Sequence, residues 1–177
     1  MKYRLIAVVS NDGYIARCSG DTPNLWTSKE EQIKFKKDIE DCMWSVMGRK
    51  THELSYDIKK KRIIFSTSIK KYELINKNHI FINPSEVPFQ TIIDLIKPIP
   101  ILCILGGTSV HDYFLDKNLI NELVITVEPI NFYKGLKLFS KLKWEEFPMN
   151  FIRKGFKIVT KNKINKKGTK YYYLLRN

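Results

Sequence analysis

Strand-like apolar runs alternate along most of this chain with segments whose apolar residues recur at helical spacing. The strand-like runs cover residues 3–10, 43–47, 62–66, 79–82, 100–105, 121–128, 151–160 and 169–175. Helical patterns begin at Thr27 or Ser28 and occupy about 49–55, 85–96 and 108–117. This alternation is typical of a mostly parallel sheet with helices on both faces. The last two runs, joined at 166–168, predict an antiparallel hairpin, so we expect an α/β fold with a mixed sheet.

The chain length favours a single domain spanning 1–177. A chain of 177 residues can build one core of ordinary size and is short for two. No apolar run approaches the roughly 20 residues that span a bilayer. The apolar N-terminus leads into Asn11, Asp12 and Gly13, which predicts a core strand and not a signal peptide. We expect a cytoplasmic monomer or homodimer without a membrane partner.

Three cysteines, Cys18, Cys42 and Cys103, are distributed along the chain. Their number is odd, they lie far apart, and none shows the paired spacing of a metal site. We therefore predict a reducing compartment, no disulfide framework and no bound metal.

The net charge of +13 suggests an anionic partner. Clustered basic residues would favour nucleic acid, because they release counterions from the phosphate backbone. Here 25 Lys and 6 Arg are spread along the chain, and the dense runs at 59–61 and 161–170 fall at expected loops and strand ends. This distribution favours a solvated basic surface over a nucleic-acid patch. Attraction of an anionic small molecule or cofactor is the other alternative.

Two apolar runs end in glycine directly before a helical pattern. The run 100–105 leads into Gly106 and Gly107, and the run 43–47 leads into Gly48, Arg49 and Lys50. Ligands of open α/β sheets bind at such strand ends, where glycine admits phosphate and the helix N-terminus stabilises its charge. A tight turn explains a lone Gly-Gly almost as well, but the basic residues after Gly48 suit phosphate. Together the two ends predict a nucleotide cofactor.

Glu31 lies on the same helical stripe as Phe35, so a carboxylate faces the expected core. Such a group is costly to keep ionised unless it is paired. If Ser28 caps the helix, Glu31 occupies the third position of a capping box and is exposed without chemistry. If Thr27 caps it, Glu30 takes that position and Glu31 faces inward. Spacing alone leaves these two alternatives equal.

These segments, in this order and at similar spacing, resemble dihydrofolate reductase. The resemblance is carried by Trp26-x4-Glu31-x3-Phe35-Lys36, Val46-Met47-Gly48-Arg49-x-Thr51, Ile63-Ile64-Phe65-Ser66-Thr67 and Leu105-Gly106-Gly107. The C-terminal half from Gly106 to Phe139, and the run Asp12-Gly13-Tyr14-Ile15-Ala16, are also similar to the reductase domain of riboflavin-pathway deaminase-reductases. Both families share a fold and a cofactor, so the resemblance implies a dihydrofolate-reductase-like α/β domain.

The resemblance implies that Glu31 binds the substrate. Its carboxylate would accept hydrogen bonds from the pterin N3 and 2-amino groups and would promote N5 protonation during hydride transfer to C6. The other implied substrate contacts are Thr126 supporting the carboxylate, Phe35 packing on the ring, Trp26 ordering water, Ala7 beside the ring and Lys60 near the substrate tail.

The resemblance also implies NADPH as the cofactor. Its nicotinamide would lie against Ala7 and Ile15. The implied phosphate and adenosine contacts are Gly48, Arg49, Lys50, Thr51, Ser66, Thr67, Gly106, Gly107, Thr108 and Ser109.

Several positions depart from the dihydrofolate reductase pattern. Lys60 replaces an Arg that grips the substrate carboxylate, Thr108 replaces a third glycine, and His111 replaces a Tyr that touches the nicotinamide. We interpret His111 as an ordinary histidine on the helix surface. The riboflavin-pathway families usually carry a Thr-Val-Leu-x-Asp-Asp-Pro segment where this chain has Gly48 and Arg49.

We therefore expect an NADPH-dependent reductase, with dihydrofolate as the first substrate. The alternative substrate is 5-amino-6-(5-phosphoribosylamino)uracil or a related diaminopyrimidine of the riboflavin pathway. A basic nucleic-acid-binding domain on the same scaffold is the non-enzymatic alternative.

Overall fold

The computed structural model describes residues 1–176, which contain eleven strands and five α-helices. The strands are β1 (Lys2–Ser10), β2 (Tyr14–Ala16), β3 (Trp44–Gly48), β4 (Arg62–Phe65), β5 (Tyr72–Asn76), β6 (His79–Ile82), β7 (Ile101–Gly106), β8 (Glu122–Glu128), β9 (Leu136–Lys137), β10 (Phe156–Lys163) and β11 (Lys170–Arg176). The α-helices are α1 (Lys29–Asp38), α2 (Arg49–Leu54), α3 (Phe89–Ile96), α4 (Thr108–Asp116) and α5 (Met149–Ile152).

Nine of these strands form one mixed sheet in the order β10-β11-β8-β1-β7-β3-β4-β6-β5. The six strands from β8 to β6 in that order are parallel to one another. Strand β5 is antiparallel at one edge, and the β10–β11 hairpin is antiparallel at the other. The mixed sheet and the C-terminal hairpin predicted from the sequence are therefore confirmed. Strands β2 and β9 pair separately as a small antiparallel sheet.

The two faces of the central sheet carry different packing layers. On one face, side chains such as Leu5 and Ile104 pack with Val110 and Phe114 of α4 in the larger core cluster. On the other face, Phe35 of α1 packs in a smaller cluster beneath the helix. Because side chains alternate along a strand, the central strands are apolar almost throughout, as expected for a sheet buried on both sides.

The structure corrects several predicted elements. Residues 149–152 form helix α5, so the predicted strand at 151–160 is wrong in its first part and β10 starts at Phe156. A short apolar run has no periodicity that separates a strand from a helix, which explains this error. Strands β2, β5 and β9 were not predicted from the sequence. Four of the five residues of β5 are exposed, so that strand lacks the alternating apolar pattern of a half-buried strand.

Cys42 and Cys103 form a disulfide, so the prediction of no disulfide framework is wrong. Cys42 follows α1 and Cys103 lies in the middle of β7, and their Cα atoms are 5.9 Å apart across 61 residues of sequence. The inference of a reducing compartment, which rested on unpaired cysteines, therefore loses its basis. Cys18 is free and exposed. Among residues 1–176, no helix has the length and apolar character needed to cross a membrane.

Candidate active site

The glycine ends of β3 and β7 are neighbours at the carboxyl edge of the parallel sheet. Met47 lies opposite Gly106 in the paired strands. A Cβ atom on Gly48 would lie 4.0 Å from both the Gly106 carbonyl oxygen and the Gly107 nitrogen. Helices α2 and α4 begin directly after these glycines, and neither has a side-chain N-cap. The edge therefore presents backbone N–H donors that can hold an anion.

The side chains assigned to the cofactor phosphates and adenosine follow β3, β4 and β7 at this same edge. Arg49 is exposed and lies 3.5 Å from Glu53, and the Lys50 ammonium lies 3.5 Å from the Ser19 hydroxyl. Ser66, directly after β4, is buried and shares a hydrogen bond of 2.6 Å with Ser68. The remaining members of the set are Thr51, Thr67, Thr108 and Ser109, of which Thr67 and Ser109 are exposed and Thr51 and Thr108 half-buried.

Glu31 is buried in the first turn of α1, with 4% of its surface exposed. Ser28 caps this helix, because its hydroxyl accepts a hydrogen bond from the Glu31 N–H. The Ser28 N–H donates at 2.7 Å to the Glu128 carboxylate of β8, which occupies the place a capping-box glutamate would take. Both sequence alternatives are therefore wrong in part: Ser28 is the cap, yet Glu31 faces inward.

The pKa of Glu31 is raised to about 7, chiefly by burial; a hydrogen bond from Thr27 opposes this rise, and the nearby Glu128 and Asp38 carboxylates contribute to it. No Lys or Arg of residues 1–176 forms a salt bridge with Glu31. An acid with a pKa near neutrality can both donate and accept a proton. Perturbed acids of this kind are enriched at active sites.

Thr126 lies on the sheet face that α1 covers. It is buried in β8, two residues before Glu128, whose carboxylate contacts Ser28 at the start of α1. Residues two apart in a strand share a face, so Thr126 points toward the same layer as Glu31. Within residues 1–176 no hydrogen bond joins these two side chains, and Thr27 supplies the hydroxyl instead. Thr27 and Glu128 are the neighbours of Glu31 that the sequence analysis missed.

Trp26 and Phe35 lie before and after Glu31 along the chain. The Trp26 ring packs edge-to-face on Phe132 at 5.0 Å, and its buried Nε1–H has no hydrogen-bond partner. A buried donor without a protein partner is suited to a water or a ligand acceptor. Phe35 is half-buried, one turn after Glu31.

Ala7 and Ile15, assigned to the nicotinamide end, both pack at the edge of the larger core cluster. The Ile15 Cδ1 methyl lies 3.9 Å from the position of a Cβ atom on Gly107. The structure therefore brings Ile15 against the glycine turn at which β7 ends.

Lys60 is exposed in the connection between α2 and β4. The nearby Arg62 is buried and engaged, because its guanidinium donates to the Ser55 carbonyl at 2.6 Å and lies 3.2 Å from His52 Nδ1. Lys60 has no guanidinium, and the guanidinium of Arg62 is already engaged. Neither side chain is therefore available to bind a carboxylate through two parallel hydrogen bonds.

His111 is buried, so its interpretation as a surface histidine is wrong. Its exposed fraction is 1%, and its Nδ1–H donates to the Leu138 carbonyl at 3.0 Å. Burial lowers the pKa of the imidazole to about 4, although the Leu138 hydrogen bond and the Asp112 carboxylate oppose this change. Its spacing of three from Phe114 places both on the apolar face of α4, and this was the signal available in the sequence.

Among solved structures, this chain is similar to a protein from Shewanella sp. PV-4 that is named as a putative riboflavin biosynthesis protein. The two chains share 23% sequence identity with a TM-score of 0.74, and the match covers 100% of this chain and 99% of the other. No protein-family model matches the sequence. No curated protein matches it either. At this identity the likeness establishes a dihydrofolate-reductase-like α/β fold over the full length.

Proposed function

We propose that this chain is an NADPH-dependent reductase whose substrate carries a pyrimidine ring. The observation that carries the proposal is the placement of Glu31, a buried acid without a basic partner in residues 1–176, at the carboxyl edge of the parallel sheet. Strands β8 and β1 end beside this acid, and the adjacent β7 and β3 end in the glycine turns. Ligands of open α/β sheets bind at this edge.

The donor set at the glycine turns fits a phosphorylated dinucleotide. The uncapped N-terminus of α4 and the basic Arg49 and Lys50 suit phosphate, and Ser66 would contribute to the adenosine end. NADPH differs from NADH by a phosphate on the 2′ position of the adenosine ribose. The basic residues at this edge therefore favour NADPH. When bound, NADPH supplies the hydride, and the protein supplies binding, orientation and the proton.

Glu31 would perform two tasks in this reaction. Its two carboxylate oxygens match a ring N–H and an adjacent amino group, which form a planar pair of donors. Binding this pair would offset the burial cost that raises the Glu31 pKa to about 7. The acid can then assist protonation of the substrate at neutral pH while hydride is transferred.

We favour a ribosylated diaminopyrimidine phosphate of the riboflavin pathway as the substrate. The full-length similarity to the Shewanella protein supports this choice over dihydrofolate. The carboxylate of a dihydrofolate tail is bound best by an arginine guanidinium through two hydrogen bonds. Lys60 offers only a single ammonium charge, and the Arg62 guanidinium already donates to the Ser55 carbonyl. The Glu31 carboxylate also favours a 2-amino ring over a uracil, which has an oxygen instead of a second donor at that edge.

Dihydrofolate is the second candidate, and Glu31 with Trp26 favours it. A 2-amino-4-oxo pterin presents the same donor pair to the Glu31 carboxylate. The free Trp26 Nε1–H could hold a water beside the ring.

A binding titration followed by a substrate panel tests the proposal. NADPH and NADH are titrated by fluorescence, and NADPH oxidation is then followed with the diaminopyrimidine phosphate, the uracil analogue and dihydrofolate. We expect preference for NADPH and turnover of a 2-amino substrate. Glu31→Gln should lose most of this rate at neutral pH, while Glu30→Gln, an exposed neighbour on α1, should retain it. Failure to bind NADPH, or equal rates in the two variants, would contradict the proposal.

A further inference from the structure

Helix α4 holds the segment Lys137–Ser140 through three hydrogen bonds, which we call the α4 staple. The Thr108 hydroxyl donates to the Lys137 carbonyl at 2.5 Å, and His111 Nδ1–H donates to the Leu138 carbonyl at 3.0 Å. The Ser140 N–H donates to Asp112 Oδ1 at 3.0 Å. The three side chains are spaced for one side of the helix. The staple therefore ties the start of α4 to a segment that is distant in sequence.

The stapled segment also reaches the strand that carries Ile15. Lys137 in β9 lies opposite Tyr14 in β2, and the Leu138 N–H donates to the Gly13 carbonyl at 3.2 Å. The Ile15 side chain in turn lies against Gly107. A closed circuit of contacts therefore surrounds one end of the proposed cofactor cleft. It consists of the glycine turn, α4, the segment 137–140 and β2.

Among the three side chains of the staple, His111 is the one whose ring tautomer is fixed by its surroundings. Because a carbonyl oxygen can only accept, the His111 Nδ1 must carry the hydrogen and Nε2 must be a bare acceptor. This Nε2 is buried and has no partner among residues 1–176. The ring lies against Gly106, where a Cβ atom would be 2.9 Å from Nε2. An unpaired buried acceptor does not favour stability, so the hydrogen bond from Nδ1 to the Leu138 carbonyl is the polar contact that fixes the ring in this environment.

We infer that His111, through the α4 staple, is a positioning residue that holds β2 against the Gly106–Gly107 turn and so shapes the nicotinamide end of the cleft. The inference rests on the proposed function, because it assigns that end of the cleft to the cofactor. The adenosine half would lie at the ends of β3 and β4, outside the circuit. Loss of the staple should therefore affect the two halves of the cofactor unequally.

Two substitutions at one position separate the hydrogen bond from the packing. His111→Phe keeps an aromatic ring but loses the donor, whereas His111→Asn places an amide N–H near the position of Nδ1–H. The measurements are the fluorescence-detected affinities for NADPH and for adenosine 2′,5′-bisphosphate, which lacks the nicotinamide, its ribose and the phosphate attached to that ribose. We expect His111→Phe to weaken NADPH binding about tenfold, as for one lost hydrogen bond, and to leave the fragment within about twofold. His111→Asn should restore most of the NADPH affinity. Equal losses for both ligands would overturn the inference.

Amide hydrogen exchange of the ligand-free protein tests the staple without any cofactor. His111→Phe should accelerate exchange at 14–16 and 137–140, and unchanged exchange at 14–16 would overturn the coupling. Asp116→Ala is the control, because it removes only an exposed ion pair between α4 and Lys141. If His111→Phe does not fold, the same measurements are made on Asp112→Ala and Asp112→Asn. Ala removes the acceptor of the Ser140 hydrogen bond, whereas Asn keeps an acceptor oxygen. If the wild type binds no NADPH, the proposed function fails, whereas the exchange result still decides whether the staple holds β2.

Discussion

Replacement of Glu31 by Gln should change protein stability in a strongly pH-dependent way. The pKa of Glu31 rises from 4.5 in the unfolded chain to about 7 in the folded protein. The folded state therefore holds this proton more tightly than the unfolded state, and stability is lost as the pH rises from about 4.5 through about 7. Below pH 4.5 both states are protonated, and the carboxyl group imposes no penalty.

The magnitude follows from the same two values. At about 1.4 kcal/mol per pKa unit, the rise corresponds to about 3 kcal/mol of destabilisation when the pH is well above 7. Gln is uncharged at every pH and keeps an oxygen that can accept from Thr27. Glu31→Gln should therefore match the wild type at pH 4 and exceed its free energy of unfolding by up to about 3 kcal/mol at pH 8.

Urea unfolding at several pH values measures this difference directly. Glu30→Gln serves as the control, because Glu30 precedes Glu31 on α1 but is exposed. A difference between Glu31→Gln and wild type that is the same at pH 4 and pH 8 would refute the reasoning. So would a pH-dependent gain of similar size in Glu30→Gln. If Glu31→Gln gains unfolding free energy at pH 8 and also loses activity, then the Glu31 carboxylate serves function at the expense of stability.

Three further predictions concern the disulfide, the glycine turn and the titration of His111. Cys42 and Cys103 close a loop of 61 residues, so the double alanine variant should lose about 4 kcal/mol of unfolding free energy, and an unchanged urea midpoint would contradict this. Gly106→Ala should cost at least about 1 kcal/mol, because φ is +102° and the new Cβ would meet the His111 ring, and His111→Ala should relieve only the steric part of this cost in a double-mutant cycle. The pKa of His111 falls from 6.5 to about 4, so wild-type stability should decline by about 3 kcal/mol as the pH drops through that interval. If the unfolding free energy of His111→Phe declines equally over the same pH interval, other groups cause the decline.

Local patterns in the sequence determined the central sheet and the position of its glycine ends. Apolar runs with β-branched residues predicted the parallel strands, and glycine before a helical pattern predicted two neighbouring strand ends. These features are local, because an individual strand must carry its own apolar residues and a sharp turn needs its own glycine. The spacing of Glu31 from Phe35 allowed an inward carboxylate, but it left an exposed capping position equally open.

Only the tertiary structure decided the features that depend on distant partners. Glu128 comes from β8 to occupy the place beside Ser28, which is why Ser28 caps α1 while Glu31 stays buried. Cys42 meets Cys103 because the turn after α1 lies over β7, a distance that sequence separation does not contain. His111 is buried because the segment that carries Leu138 closes over α4. In each case, the sequence specifies the residue and its local element, but a second chain segment determines its environment.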